Sequence, residues 1–257
     1  MVRRLARLIA EYSVSVREGD EVLIRANVVA LPLVRELYRE VLGRGGFPMA
    51  MLTDEVLEET FYRYAGDETL RHVTKLERAV VETTDVIITI LSTTHTKHLN
   101  TVPPERISVY RGARRDLTQT FLRRAAEGKL RWTIAPYPTK ALAQEAGMGL
   151  LDYEEFVYRA CGLDRDDPIA YWREKSKEQE KIASALGRGS ELRFVGPELD
   201  LTVRVEGEEV GKRRRPRKHA GWGGFHRPNR GLGRGSDKVY LPGCLGRRRG
   251  GRRKVEV

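Results

Sequence analysis

Apolar side chains in residues 3–13 fall at Leu5, Leu8, Ile9 and Tyr12, the i, i+3, i+4, i+7 spacing that lines one stripe of a helix. The polar turn REGD at 17–20 then leads into VLI at 22–24, a short apolar run suited to a buried strand. Residues 31–42 carry a second helical pattern, closed by GRGG at 43–46, and FPMAML at 47–52 reads as another strand. Thr53 and Asp54 supply a cap for a following helix, with Glu58 near its first turn. A long helical stretch over 67–83 precedes DVIITIL at 85–91, the most strand-like segment of the chain. ISVY at 107–110 is expected as strand, 113–126 as helix and RWTIA at 131–135 as strand.

Strands separated by helices need crossover connections, which implies a parallel sheet covered on both faces. The pattern therefore predicts a doubly wound, mostly parallel α/β domain over 1–150. No GxGxxG follows a strand and opens a helix, so a dinucleotide site is not supported. Residues 151–187, which include the charged helix PIAYWREKSKEQEKIASAL at 168–186, read as a helical connector. ELRFVG and LDLTVRVEG, separated by the turn PE, alternate as two strands of a hairpin. Residues 188–210 thus look like the start of a second, β-rich domain.

Charge changes this picture at one place. The net charge of +11 suggests a nucleic-acid or anionic partner for the whole chain. Residues 211–257, however, hold 16 basic and 2 acidic residues, whereas 1–210 hold 31 basic and 34 acidic ones, so two compositionally different segments join near 210. The basic segment is expected to be disordered, because glycine and like charge cannot bury enough surface to offset backbone ordering. No apolar run approaches the length of about eighteen residues that a membrane helix needs, and the N-terminus is charged where a signal peptide would be greasy. A cytosolic protein with no membrane partner is expected. Cys161 and Cys244 alone make neither a disulfide framework nor a zinc site.

Candidate chemistry is sparse. His95 and His98 in TTHTKHLN form the one close histidine pair, just past the strand at 85–91. An H-x-x-H on a loop without a nearby third ligand reads as structural or exposed rather than metal-binding. RWTIAPYPTKALAQEAGM at 131–148 is the most distinctive segment. Pro136 and Pro138 bracket Tyr137 and fix an extended turn before a short helix ending at Gly147. Gln144 and Glu145 are candidates to face a ligand, and Trp132 and Tyr137 to pack a rigid connector. No GxSxG elbow or cysteine–histidine pairing in the right context is present.

Taken together, LARLIAEYSVSVREGDEVLIRA, PLVRELYREVLGRGGFP, LRWTIAPYPTKALAQEAGM, DYEEFVYRACGLDRDDPIAYW and LRFVGPELDLTVRVEG resemble, in order and spacing, the N-terminal region of the thermophilic aminopeptidase T family. The resemblance covers residues 1–210. It places Trp132, Tyr137, Pro138, Gln144, Glu145 and Gly147 in a family motif of unassigned role. It implies a cytosolic, dimeric metal-dependent exopeptidase whose peptide substrates meet two divalent ions, such as zinc or cobalt, in a C-terminal domain. The first ligand of that domain is the Glu of a segment resembling NMPDGEVFTGPIEDS and would align near Gly223. The matching stretch here, KHAGWGGFHRPNRGL at 218–232, has no acid.

The genetic code offers a cause. Reading each codon one nucleotide late turns the only Trp222 codon, followed by the G of Gly223, into glycine; Phe225 and His226 give phenylalanine, His219 permits methionine and Gly223 permits glutamate. Permitted codons throughout 218–232 yield NMPDGEVFTGPIEDS, and 236–245 yields VIRFTYPAVW, also typical of the family. A one-base frameshift between 207 and 217 is therefore expected, leaving this chain without metal ligands, cofactor or activity. Its hairpin would then present unpaired edges, and dimerisation would be doubtful. The alternative takes the tail at face value, as a nucleic-acid-binding segment whose RRRPRK and GRRRGGRRK neutralise phosphates while Trp222 and Phe225 stack on bases. A third reading makes the α/β domain a small-molecule binder through the His95 loop.

Overall fold

The computed structural model of the chain describes residues 1–196, 199–204 and 254–256. Strands β1 (Glu21–Asn27), β2 (Phe47–Thr53), β3 (Val86–Leu91) and β4 (Arg131–Pro136) form a sheet in the order β2-β1-β3-β4, every neighbouring pair parallel. Parallel neighbours need crossovers rather than tight turns. Helix α2 (Leu31–Leu42) joins β1 to β2; α3 (Glu55–Tyr64), α4 (Asp67–Arg71) and α5 (Lys75–Thr83) join β2 to β3; α6 (Pro104–Ala113) and α7 (Arg115–Ala126) join β3 to β4. The chain steps outward from β1 to β2, then crosses back past β1 to β3 and β4. This is the doubly wound α/β architecture that the helix–strand alternation predicts.

Side-chain alternation assigns the two faces. Leu23, Ile87 and Trp132 lie in one cross-strand row and pack with Val80 of α5, Leu130 and Phe121 of α7. The Trp132 and Phe121 rings sit 5.5 Å apart. Ile24 and Ile88 point the other way. Helix α1 (Val2–Arg7), which widens into a π-helical turn at Leu8–Ser13, packs on α2 and contributes fully buried Leu5, Leu8 and Ile9, with Leu33 and Leu37 of α2. Each such side chain contributes about 1.5–3 kcal/mol on leaving water. The two central strands are therefore apolar on both faces, as the continuous runs VLI and VIITI require.

One buried ion pair closes the amino-edge side of this layer. Arg131, at the start of β4, pairs with Asp20 and donates to the Ser15 carbonyl at 2.7 Å and the Val14 carbonyl at 3.4 Å. Asp20 also accepts the Arg17 N–H at 2.6 Å. The guanidinium thus ties the exit of the π-helical turn and the REGD turn to the sheet. Both side chains are at most 10% exposed.

Two local expectations are corrected. Residues 67–83 are two helices, interrupted at His72–Thr74, where Thr74 and Glu77 form a capping box with bonds of 3.1 and 2.9 Å. Arg114 makes the break favourable by donating to the Leu70 and His72 carbonyls and to the Glu77 carboxylate. ISVY at 107–110 is helical, inside α6. Pro103 and Pro104 set the dihedrals of a helix start, and Ile107, Val109 and Tyr110 pack on Tyr62, Leu70 and Val102. The apolar run belongs to a helix–helix contact, which a strand at that point could not reach.

The chain divides into two compact units, the first running through Ile169 among the described residues. It includes α8 (Lys140–Glu145) and α9 (Leu150–Ala160). The second unit contains most of α10 (Pro168–Leu186) and an antiparallel hairpin, β5 (Glu191–Gly196) and β6 (Leu199–Arg204), with Glu191 opposite Arg204 and Gly196 opposite Leu199. The expected free edge of β5 is occupied, because β7 (Lys254–Glu256) pairs with it antiparallel, Arg193 facing Glu256. Apart from 254–256, the segment expected to be disordered lies outside the described residues. Among those described, no helix is long and apolar enough to cross a membrane.

Arg131→Ala leaves a buried Asp20 carboxylate without its counter-ion, and urea denaturation should register a loss of about 3–5 kcal/mol. A loss below about 1 kcal/mol, the value of a surface pair, would show that the pair does not organise this layer.

Candidate functional site

In an open parallel sheet, groups converge at the carboxyl ends of the strands where successive connections leave in opposite directions. Here that point lies between β1 and β3. Asn27 ends β1, Glu55 is the first helical residue after β2, and residues 92–98 follow β3. Asp54 caps α3 by accepting the Val56 and Leu57 N–H groups at 2.9 and 3.3 Å, which fixes where Glu55 emerges.

Glu55 is 6% exposed and occupies this crevice with its carboxylate. Its Oε1 accepts the Thr93 hydroxyl and the Thr94 N–H, both at 2.5 Å, and its Oε2 accepts Asn27 Nδ2 at 2.8 Å and the Thr94 hydroxyl at 3.1 Å. Burial pushes its pKa up, but the bonds from Thr93, the Thr94 backbone, its own backbone N–H and Asn27 outweigh that and bring it down to about 2. The amino end of α3 favours the same charge. Such a group has neither a proton to give nor a free lone pair at neutral pH. Its role is to fasten three chain segments.

The rest of the loop is held at two more points. His98 Nε2 lies 2.9 Å from Glu58 Oε2 and its Nδ1 lies 2.9 Å from the His95 carbonyl. Burial pulls the His98 pKa down, while the hydrogen bond to Glu58, the His95 carbonyl and the charges of Glu58 and Glu55 raise it further, leaving it above the usual imidazole value. Thr96 donates its hydroxyl to Glu145 of α8 at 2.7 Å, and Lys97 lies 3.4 Å from the same carboxylate. The His95 and His98 pair therefore serves loop geometry in this arrangement, with Glu58 as partner.

The residues of the 131–148 motif separate into distinct environments. Trp132 packs under α7, far from the crevice in its row of the sheet. Tyr137 extends the ladder by donating its N–H to the Leu91 carbonyl at 2.9 Å, and burial followed by the Glu154 charge raises its phenol. Tyr158 of α9 is pushed up to about 12 by burial, Glu154, Tyr137 and Cys161. Pro138 is buried beside Thr139, which caps α8 through the Leu142 N–H at 3.3 Å. Gln144 is exposed. Gly147, at φ +66°, ends α8: its N–H donates to the Gln144 carbonyl at 3.0 Å and that of Met148 to the Ala143 carbonyl at 2.9 Å. Only Glu145 of this set reaches the crevice loop. Gly223 lies outside the described residues.

Sequence reasoning missed Asn27, Glu55, Thr93 and Thr94, and read Glu58 only as an acid near a first helical turn. The available signal was polar residues at the ends of apolar parallel strands, Asn27 and the run STTHT. Glu55 itself reads as an ordinary acid in a first helical turn. Its partners lie 28, 38 and 39 positions away, so only the strand order brings them together.

Among the described residues there is no group of three or more His, Cys, Asp and Glu side chains able to hold a metal ion. A profile of the family described as thermophilic metalloprotease (M29) matches residues 1–213. Aminopeptidase T of Thermus thermophilus is 26% identical over 216 residues, covering 79% of this chain and 52% of that protein. Aminopeptidase 2 of Geobacillus stearothermophilus is 26% identical over 194 residues, covering 71% and 47%. The solved structure of wild-type AmpT from Thermus thermophilus aligns with a TM-score of 0.66 at 23% identity, over 80% of this chain and 54% of that one. The likeness to that structure is one of fold. The chain spans about half the length of the curated relatives it matches.

Because the Glu55 pKa is depressed from 4.5 to about 2 on folding, its contribution is present above the ordinary carboxylate range and lost as pH falls through about 2. Glu55→Gln should lower unfolding stability by roughly 2–4 kcal/mol near neutral pH, and its difference from the parent should narrow on acidification. A difference that stays constant on titration into acid would remove the charge from the explanation.

Proposed function

The chain belongs to the thermophilic metalloprotease (M29) family, and on that premise we propose that it is the sheet-bearing N-terminal region of a cytosolic, metal-dependent aminopeptidase acting on peptides. The observation that carries this reading is the match of residues 1–213 to the family, a range that spans the sheet, α8, α9, α10 and the hairpin. The two curated relatives described above carry aminopeptidase names.

The described residues do not fit a divalent-metal centre, since no cluster of three or more ligand side chains occurs among them. The sheet's carboxyl-end crevice is filled by Glu55 and its partners, so the role assigned to this domain is structural support. The two divalent ions and the peptide-bond chemistry belong, in this reading, to ligands encoded beyond the hairpin.

The reading-frame argument supplies the missing piece. The family match ends at residue 213, inside the window of about 207–217 where the composition changes sign, and just before 218–232, whose codons read one nucleotide late permit NMPDGEVFTGPIEDS. We therefore assign the segment after that window to an out-of-frame product. The chain as it stands is an inactive member of an active family. A nucleic-acid-binding role rests on the basic segment, of which only residues 254–256 are described, and no described feature favours it.

The purified 257-residue chain should show no chelator-sensitive hydrolysis of a leucyl chromogenic substrate. Restoring the frame by one nucleotide between codons 207 and 217 and expressing the longer product should create that activity. Chelator-sensitive turnover by the present chain, or an inactive frame-restored product that folds, would overturn the proposal.

A further inference from the structure

Among the described residues the arginines that are not exposed are Arg25, Arg44, Arg106, Arg114, Arg124 and Arg131. Arg44 and Arg131 pair with carboxylates, Arg114 bonds a carboxylate and carbonyls, and Arg106 and Arg124 bond main-chain carbonyls. Arg25 differs: it forms no ion pair among those residues, and its Nε is buried without a hydrogen-bond partner. Burial pulls its pKa down, against the charges of Glu77 and Tyr110. Glu77 does not meet it, because both Glu77 oxygens are engaged by Arg114 and Thr74 at 2.6 to 3.2 Å. A guanidinium drawn partly out of water without acceptors is costly, and a buried polar atom left unmet calls for a partner.

Its place in the sheet indicates what that partner is. Arg25 lies near the carboxyl end of β1, in a cross-strand row with Met51 of β2, Thr89 of β3 and Ile134 of β4. Alternation turns this row to the same face as Leu23, Ile87 and Trp132, one step beyond the row that packs with α5 and α7. Met51 is 39% exposed, and Thr89 and Ile134 are half-buried. The row is thus less covered than its neighbour, at the end of an open parallel sheet where ligands are taken.

We propose that the row Met51–Arg25–Thr89–Ile134 binds the carboxylate of a small monoanion with an apolar body, with Arg25 as its counter-ion. The guanidinium fork offers its Nε–H and a terminal N–H to the two oxygens of one carboxylate. Thr89, the register partner of Arg25, adds a hydroxyl on the same face, and Met51 and Ile134 supply apolar surface on either side. One cation with the Glu77 charge close by suits one negative charge better than two, which sets a carboxylate above a phosphate dianion. Glu55 does not supply the carboxylate from within the chain, since its oxygens bond Asn27, Thr93 and Thr94. The site lies wholly within the first unit and goes beyond the supporting role assigned to this domain.

NMR of the arginine Nε–H groups in the full chain tests this, with benzoate, benzamide and inorganic phosphate as probes; the Arg25 signal is the one lost in Arg25→Lys. Benzoate should move that signal saturably, with half-saturation at about 1 mM. Benzamide, which has the same shape without the charge, and phosphate should each bind at least about tenfold more weakly, and the signal of exposed Arg35 should stay in place. Arg25→Lys keeps the charge but not the planar fork and, read from the remaining amide signals, should weaken benzoate by about tenfold; Thr89→Val should weaken it by about threefold. The parent titration decides the matter even if a variant fails to fold. No saturable shift at Arg25 up to about 50 mM benzoate, an equal response to benzamide or phosphate, an equal shift at Arg35, or a folded Arg25→Lys that binds like the parent would each overturn the proposal.

Discussion

Burying the Glu55 carboxylate is the constraint on which the carboxyl side of the sheet depends. A charge removed from water is tolerated only when donors surround it, and here the donors come from the end of β1 and the loop after β3 while the acid itself opens α3. Each of these three segments leaves a different strand. The carboxylate therefore fixes the start of α3, the path of 92–98 and, through Thr96 and Lys97, the contact with Glu145 on α8. His98 and Glu58 add a second fastening one helical turn along α3.

Arg131 plays the corresponding part at the other end of the strands, binding Asp20 and the chain leaving the π-helical turn. Between these two polar anchors lie apolar rows on both faces of β1 and β3. At the carboxyl ends of β1 and β3, where such folds often place a ligand, the protein's own Glu55 and its hydrogen-bond donors converge. The chain belongs to a metalloprotease family, and among the described residues no cluster of metal-binding side chains occurs.

Much of the fold was legible in the sequence because apolar runs marked all four strands, burial on two faces accounting for those of β1 and β3, while β2 keeps its run as an exposed edge strand. The helix over 31–42 and the stop at Gly147 were equally readable, the first from apolar periodicity and the second from a glycine where the chain needs positive φ. Where reading failed, tertiary contacts overrode local pattern. Arg114 splits 67–83 by capturing the carbonyls of Leu70 and His72, and Tyr62 and Leu70 draw ISVY into a helical contact. The fastening at Glu55 was hidden for a related reason, since acids in a first helical turn are common and the strand order that surrounds this one is not written locally. Glu145 was singled out by motif, and its partners on the 92–98 loop became visible only in three dimensions.

Native-state hydrogen exchange on Glu55→Gln measures whether that single carboxylate organises the crevice. The account expects amides of residues 93–98 and Val29 to exchange about tenfold faster or more than in the parent, while Leu23, Ile24, Ile87 and Ile88 keep their protection. Unchanged exchange across 93–98, or equal acceleration throughout the sheet, would contradict it.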